Sequence, residues 1–208
     1  MTDTIEREIT TPQGPARAHL HLPESPHAAL ILGHGAGGGV AAPDLVAATG
    51  TALALDVAVA LVEQPYRVAG RRSPPPAPRL DASWTAVARD LASRELAGLP
   101  LVTGGRSSGA RVACRTAAAT GAVGVLCLAF PLQPAARAGA TPRPSRLPEL
   151  EAVAVPVLII QGERDPFGMP EAAPGRTVVR IAGDHSLKAD IAAQRQAVAA
   201  WLAELLGT

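Results

Sequence analysis

Short apolar runs recur along the chain, each closed by glycine or a polar turn and separated by stretches of helical spacing, and this alternation restricts the fold more than any other feature. The runs lie at 28–32, 57–62, 99–103, 122–130, 153–161 and 178–182. Runs of this length with little polar alternation fit strands buried on both faces. Between them, 43–54 opens on Pro43, at a helix start where a missing N–H costs little. Residues 81–97 set Trp84, Val87 and Leu91 on one face and Arg89, Asp90 and Arg94 away from it. Residues 107–119 follow a strand directly, and 187–206 carry Leu187, Ile191, Val198, Leu202 and Leu205 at core spacings. The order predicts an α/β fold, with a mostly parallel central sheet and helices on both faces. An earlier segment, 18–22, alternates and reads as a strand with one wet face. The proline-rich stretches 70–78 and 131–148 read as loops. A chain of 208 residues suits one α/β domain and is cramped for two, so a single domain over 1–208 is expected.

Composition narrows the function classes. The chain is 48% apolar and 18% charged, the balance of a folded protein. Aromatics are few (Tyr66, Trp84, Phe130, Phe167, Trp201), so the core must rest on Ala, Val and Leu. A net charge of +1 gives no long-range attraction to nucleic acid or to an anionic membrane, and neither is expected as a partner. One local exception is the cluster Arg67, Arg71, Arg72 and Arg79. Cys114 and Cys127 lie in apolar runs without a CxxC pair, which argues against a zinc cluster or a dithiol redox site. No metal or cofactor is expected. The polar, acidic start and the interrupted apolar runs resemble neither a signal peptide nor a membrane span, so a cytoplasmic protein is expected. Oligomeric state leaves no mark on the sequence.

The strongest local signal is Leu101-Val102-Thr103-Gly104-Gly105-Arg106-Ser107-Ser108-Gly109-Ala110. A buried strand enters a tight turn and a helix leaves it. Such a reversal at Ser107 requires small neighbours two residues away, and Gly105 and Gly109 supply them. The turn presents the hydroxyl above the strand ends and at a helix N-terminus, where developing negative charge is favoured. Neither a phosphate-binding GKS/GKT nor a dinucleotide fingerprint is formed at these glycines.

A serine nucleophile needs a base, an orienting acid and oxyanion donors. Among His19, His21, His27, His34 and His185, only His185 falls in a late loop between a strand and the last helix, in Gly183-Asp184-His185-Ser186. It is the expected base, whereas His34 reads as a residue shaping its own loop. Asp165 is the expected acid, in Gln161-Gly162-Glu163-Arg164-Asp165-Pro166-Phe167, with Glu163 and Asp184 as neighbouring rivals. The run Gly33-His34-Gly35-Ala36-Gly37-Gly38-Gly39 follows a strand and leaves bare backbone near the substrate. Its Ala36 N–H, with or without Gly37, is one expected oxyanion donor, and the Ser108 N–H is the other. Gly35, Gly37, Arg67 and Arg106 are candidates for touching substrate, although Arg106 could equally brace the elbow against Glu163 or another acid.

On these residues the chain resembles the α/β-hydrolase superfamily. Within it, the chain is similar to the dienelactone-hydrolase-like group, and there to the small hydrolase-like proteins that include testis-expressed protein 30 and a domain of a chromatin-complex subunit. The segments carrying the likeness are His34-Gly35-Ala36-Gly37-Gly38, Gly104 to Arg111, Gln161 to Phe167, Gly183 to Ser186, and the stretch from Tyr66-Arg67 to Arg71-Arg72-Ser73-Pro74-Pro75. The resemblance implies an α/β-hydrolase fold with an eight-strand type of sheet, open to shortening here, and Ser107, Asp165 and His185 as a triad. A dienelactone hydrolase proper would carry a cysteine nucleophile where this chain has Ser107. The reaction expected is hydrolysis of a carboxylic ester or related acyl compound, a small molecule, through an acyl-enzyme. A protein-binding scaffold of low turnover and a peptidase or amidase are the alternatives. With about twenty residues between the strands at 122–130 and 153–161, no large lid domain is expected.

Overall fold

In the computed structural model, which describes residues 4–134 and 144–208, the apolar runs become the strands of one sheet. In chain order the strands are β1 (Thr4–Thr11), β2 (Gly14–His21), β3 (Ala28–Gly33), β4 (Val57–Glu63), β5 (Leu101–Arg106), β6 (Gly124–Leu128), β7 (Val157–Gly162) and β8 (Arg176–Ile181). They lie in the order β1-β2-β4-β3-β5-β6-β7-β8. β1, β2 and β4 pair antiparallel, and every pair from β4 onward is parallel. The sequence pattern predicts the other seven strands but not β1. β1 lies at the sheet edge and buries only Ile9 and Thr11, so it lacks the apolar signature of the others.

Among the described residues, six helices cover the sheet: α1 (Pro43–Leu53), α2 (Pro65–Val68), α3 (Ala77–Ala92), α4 (Ser108–Thr120), α5 (Leu147–Glu151) and α6 (Ile191–Leu206). Alternate strand residues point to opposite faces. Leu30, Leu32, Val59, Leu126, Leu158 and Ile160 pack with Leu45 and Ala48 of α1 and with Val198 and Leu202 of α6. On the other face, Ala29, Ile31, Ala58, Ala60 and Val62 meet Trp84, Val87 and Leu91 of α3. Val125, Cys127 and Ile159 meet Ala110, Ala113 and Cys114 of α4. With so few large residues, Trp84 carries much of its layer: it is fully buried, and truncating such a side chain costs about 3–5 kcal/mol.

Helix boundaries shift by a few residues from the sequence reading. α3 starts four residues before Asp81 because Pro78 fits the first turn, where no N–H is needed. α6 starts at Ile191, capped by the Asp190 carboxylate, which accepts from the Ala193 N–H at 2.9 Å. Leu187 stays in the core, with its backbone in the left-handed region at φ 51°. The expected loop 131–148 falls partly on residues 135–143, outside the described residues. Its end is the start of α5, whose Leu150 is buried. Among the described residues, no helix is long and apolar enough to cross a membrane.

Candidate active site

Parallel strands deliver their carboxyl ends to one edge of the sheet, and the loops leaving those ends carry the candidate residues. At the end of β5 the chain reverses into α4, and Ser107 takes φ 53°, ψ −106°. A residue with a side chain adopts such a conformation at a cost of about 1–3 kcal/mol, so the surroundings must hold it there. They do so by backbone contact. The Ser107 N–H donates to the Leu128 carbonyl at 2.9 Å. A Cβ on Gly105 would lie 2.4 Å from the Gly33 oxygen, and one on Gly109 would lie 2.3 Å from the same atom. β3 and the first turn of α4 therefore touch backbone to backbone.

The turn after β8 brings His185 over this elbow. Its Nε2 is 2.9 Å from Ser107 Oγ and its Nδ1 is 2.8 Å from Asp165 Oδ2. With the proton on Nδ1, imidazole donates to the carboxylate and accepts from the serine hydroxyl. Asp165 follows β7 and is almost fully buried, with its side chain 1% exposed. Its Oδ1 accepts from the Phe167 N–H at 2.9 Å, and its Oδ2 also accepts from Gln161 Nε2 at 2.8 Å. The turn can pass this close because a Cβ on Gly162 would lie 2.4 Å from the Asp184 carbonyl oxygen.

Two positioning groups escape sequence reasoning. Gln161 is fully buried, and its Nε2 lies within hydrogen-bond distance of Asp165, the Phe130 carbonyl and the Gly168 carbonyl. A lone amide ending the run Leu158-Ile159-Ile160 was the only signal. Phe167 meets the His185 ring edge-on, with centroids 4.5 Å apart, and so limits imidazole rotation. Of the rival acids, Asp184 turns to the Ser186 N–H and hydroxyl, and these bonds hold its carboxyl below the ordinary value.

The glycine loop after β3 passes beside the serine. A Cβ on Gly35 would stand 3.6 Å from Ser107 Cβ and 3.1 Å from Arg106 Nη1. His34 fixes the loop. Its Nδ1 is 2.8 Å from the Gly35 carbonyl and its Nε2 accepts from the Gln64 N–H at 3.1 Å, so both nitrogens are used by a neutral ring. Burial pushes the His34 pKa below its ordinary value. Tyr66 holds the next residue by donating its hydroxyl to the Ala36 carbonyl at 2.9 Å, and burial lifts its pKa to about 12. Gly37 sits in open space.

Arg106 is drawn into structure. Its Nε lies 2.7 Å from Asp44 Oδ2 and its Nη2 donates to the His185 carbonyl at 2.9 Å, so the bracing acid is Asp44 rather than Glu163. Asp44 is fully buried near the start of α1, and desolvation raises its pKa against the pull of Arg106. Arg67 stands on α2 beside Tyr66. Arg71 lines a small cavity of about 40 Å³ with Gln64, Tyr66 and Leu80. Neither lines the cleft of about 390 Å³ in which Arg106 lies, bounded by Gly38, Gly39, Ser186 and Lys188.

A sheet in this strand order, with a serine at the strand-to-helix reversal of its fifth strand and an acid and a histidine in the loops after the last two, is the architecture of the α/β hydrolases. Residues 26–203 match the family described as Alpha/beta hydrolase domain, and the chain belongs to that family. The structure is similar to a lidless α/β serine hydrolase from Xanthomonas campestris, with a TM-score of 0.78 and 19% identity over 100% of this chain and 97% of that one. It is also similar to Est1E from Butyrivibrio proteoclasticus, at 0.77 and 16% over 98% of this chain and 99% of that one. A dienelactone hydrolase from Anabaena variabilis aligns at 0.72 and 15% over 99% of this chain and 97% of that one. At these identities the likeness establishes the fold. No curated protein sequence matches the chain.

Proposed function

We propose that this protein is a single-domain serine hydrolase that cleaves a carboxylic ester or related acyl substrate through an acyl-enzyme. The observation that carries the reading is the unbroken hydrogen-bonded line from Ser107 Oγ through His185 to Asp165, with steps of 2.9 and 2.8 Å. His185 Nε2 takes the hydroxyl proton as Oγ attacks the carbonyl carbon, and Asp165 stabilises the imidazolium that forms. The N–H groups of Ala36 and Ser108, with Gly37 beside them, receive the oxyanion. The C–O bond to the leaving alcohol then breaks, and the alcohol departs with the proton held on Nε2. Water, deprotonated by the same nitrogen, attacks the acyl-enzyme and releases the acid. The similar solved structures include an esterase from Pyrobaculum calidifontis and a thermostable carboxylesterase, EstE1, which supports an ester as substrate.

A fluorophosphonate probe tests the nucleophile, and a panel of p-nitrophenyl esters, thioesters and aminoacyl amides tests the reaction. Labelling of the parent protein that disappears in Ser107→Ala, together with ester turnover lowered about ten-thousandfold or more in that variant, is expected. Folded protein that neither labels nor turns over any ester overturns the reading in favour of a binding scaffold. Turnover confined to the amides replaces the esterase with a peptidase or amidase.

A further inference from the structure

The cleft of about 390 Å³ lies at the carboxyl ends of the strands. Depressions of about 420 and 440 Å³ lie elsewhere, one beside Pro156 and Gly175 at the opposite strand ends and one between α1 and α6. Two chain neighbours of the triad line it: Arg106, which precedes Ser107, and Ser186, which follows His185. Its other wall runs from Gly38 and Gly39 of the glycine loop to Pro43 and Asp44 at the start of α1.

The charges around the cleft do not cancel. Arg106 is matched by Asp44 at 2.7 Å. Asp184 spends an oxygen on the Ser186 N–H and hydroxyl, and Asp165 is sealed behind His185. Lys188 also lines the cleft, and among the described residues it forms no ion pair. The backbone places it there: Leu187 adopts a left-handed conformation that sends its own side chain into the core, and the exposed Lys188 follows at the cleft wall. Strain of this kind is held where geometry matters to function. Lys188 is also the sole lysine of the chain.

We propose that the substrate carries an anionic group a few bonds from its scissile ester, seated in this cleft and recognised by the Lys188 ammonium. The inference rests on the serine-hydrolase reading and narrows its substrate class to anionic esters. A lysine acts on such a group as a point charge in an open, hydrated setting, so its contribution is modest and sensitive to salt.

The test compares four esters: mono-p-nitrophenyl glutarate, with its carboxylate on the acyl side; 4-acetoxybenzoate, with its carboxylate on the leaving side; and the neutral p-nitrophenyl pentanoate and methyl 4-acetoxybenzoate. Each carboxylate ester is read against a neutral analogue altered only at the charged group, p-nitrophenyl pentanoate for the first and methyl 4-acetoxybenzoate for the second. One of the anionic esters is expected to show a KM lower by about fivefold at low salt, with the advantage shrinking by 0.5 M NaCl. Lys188→Ala removes the advantage and Lys188→Glu inverts it, while both leave kcat on the neutral esters unchanged. Acetylating the single ε-amine of the parent protein has the effect of Lys188→Ala, and free glutarate slows that acetylation. Equal KM values for charged and neutral esters, or an advantage that survives Lys188→Glu, overturn the proposal while leaving the serine hydrolase intact. Failure to hydrolyse any ester strikes the parent reading instead.

Discussion

Arg106 Nη2 donates to the main-chain carbonyl of His185 at 2.9 Å, so the residue before the candidate nucleophile holds the turn that carries the candidate base. The same guanidinium faces the buried Asp44 through Nε. One side chain therefore joins α1, the elbow and the β8–α6 turn.

Arg106→Ala leaves the Asp44 carboxylate buried without a cation. Breaking a buried pair costs about 3–5 kcal/mol; Arg106 is 19% exposed, and a loss of about 2–3 kcal/mol is expected. The pH dependence has a definite sign. Asp44 is raised above its ordinary value, so the folded state keeps this proton to higher pH than the unfolded chain. Its contribution to stability is fully present below the unfolded value of 3.8 and is lost as pH rises through the folded value. Without Arg106 the folded value moves further up. Urea unfolding from pH 4 to 8 is expected to show a deficit for Arg106→Ala that widens with pH, and a flat deficit refutes this account.

The glycines near the site divide sharply under substitution. Gly109→Ala drives a Cβ to 2.3 Å from the Gly33 oxygen, a backbone atom that cannot move without parting β3 from α4. A loss of about 3 kcal/mol or more, together with ester turnover, is expected. Gly38→Ala points into open space at an ordinary φ, and its unfolding midpoint in urea is expected to stay within about 0.5 kcal/mol of the parent. Equal losses in the two variants contradict the backbone-contact explanation of the elbow.

This contrast shows why part of the site was legible in sequence. Ser107, Asp165 and His185 each follow an apolar run, and the topology of a parallel sheet then carries all three loops to one edge. Gly105 and Gly109 announce the elbow because close backbone approach leaves no other residue type. Partnerships between distant polar residues have no such local signature. Asp44 is an ordinary first-turn acid in sequence, and only the packed fold reveals that it faces Arg106 from across the glycine loop. Gln161 is one amide at a strand end, and its task depends on Asp165 folding back over it. β1 was missed for the opposite reason: an edge strand with a single buried apolar residue gives periodicity little to act on.

His34 supplies a second pH dependence, of opposite origin. Its ring donates at Nδ1 and accepts at Nε2, so protonation would cost the bond from Gln64. With the folded pKa lowered by burial, the unfolded chain takes up this proton first as pH falls below 6.5, and stability is lost from there down to the folded value. His34→Gln removes that proton uptake. The variant is less stable at pH 8, by about 1–2 kcal/mol for the disturbed hydrogen bonds, but its stability should fall less steeply between pH 6.5 and 5. Parallel slopes for parent and variant in that window would show that His34 does not govern it.

Cys114 and Cys127 face each other across α4 and β6 with sulfurs 3.5 Å apart, both buried. The hydrogen bond to Cys114 and full burial push the Cys127 thiol well above its usual range. Alkylation requires the thiolate, so native protein at pH 7.5 is expected to keep full ester turnover after hours in iodoacetamide and to react at both thiols only in denaturant. Cys114→Ala lies on the helix that Ser107 introduces, yet its sulfur reaches no triad atom. Turnover within about twofold of the parent is expected, with a stability loss of about 1–2 kcal/mol from the lost packing. Inactivation of the native protein by iodoacetamide, together with loss of ester turnover in Cys114→Ala, would move the nucleophile from Ser107 to a cysteine and undo the assignment at its root.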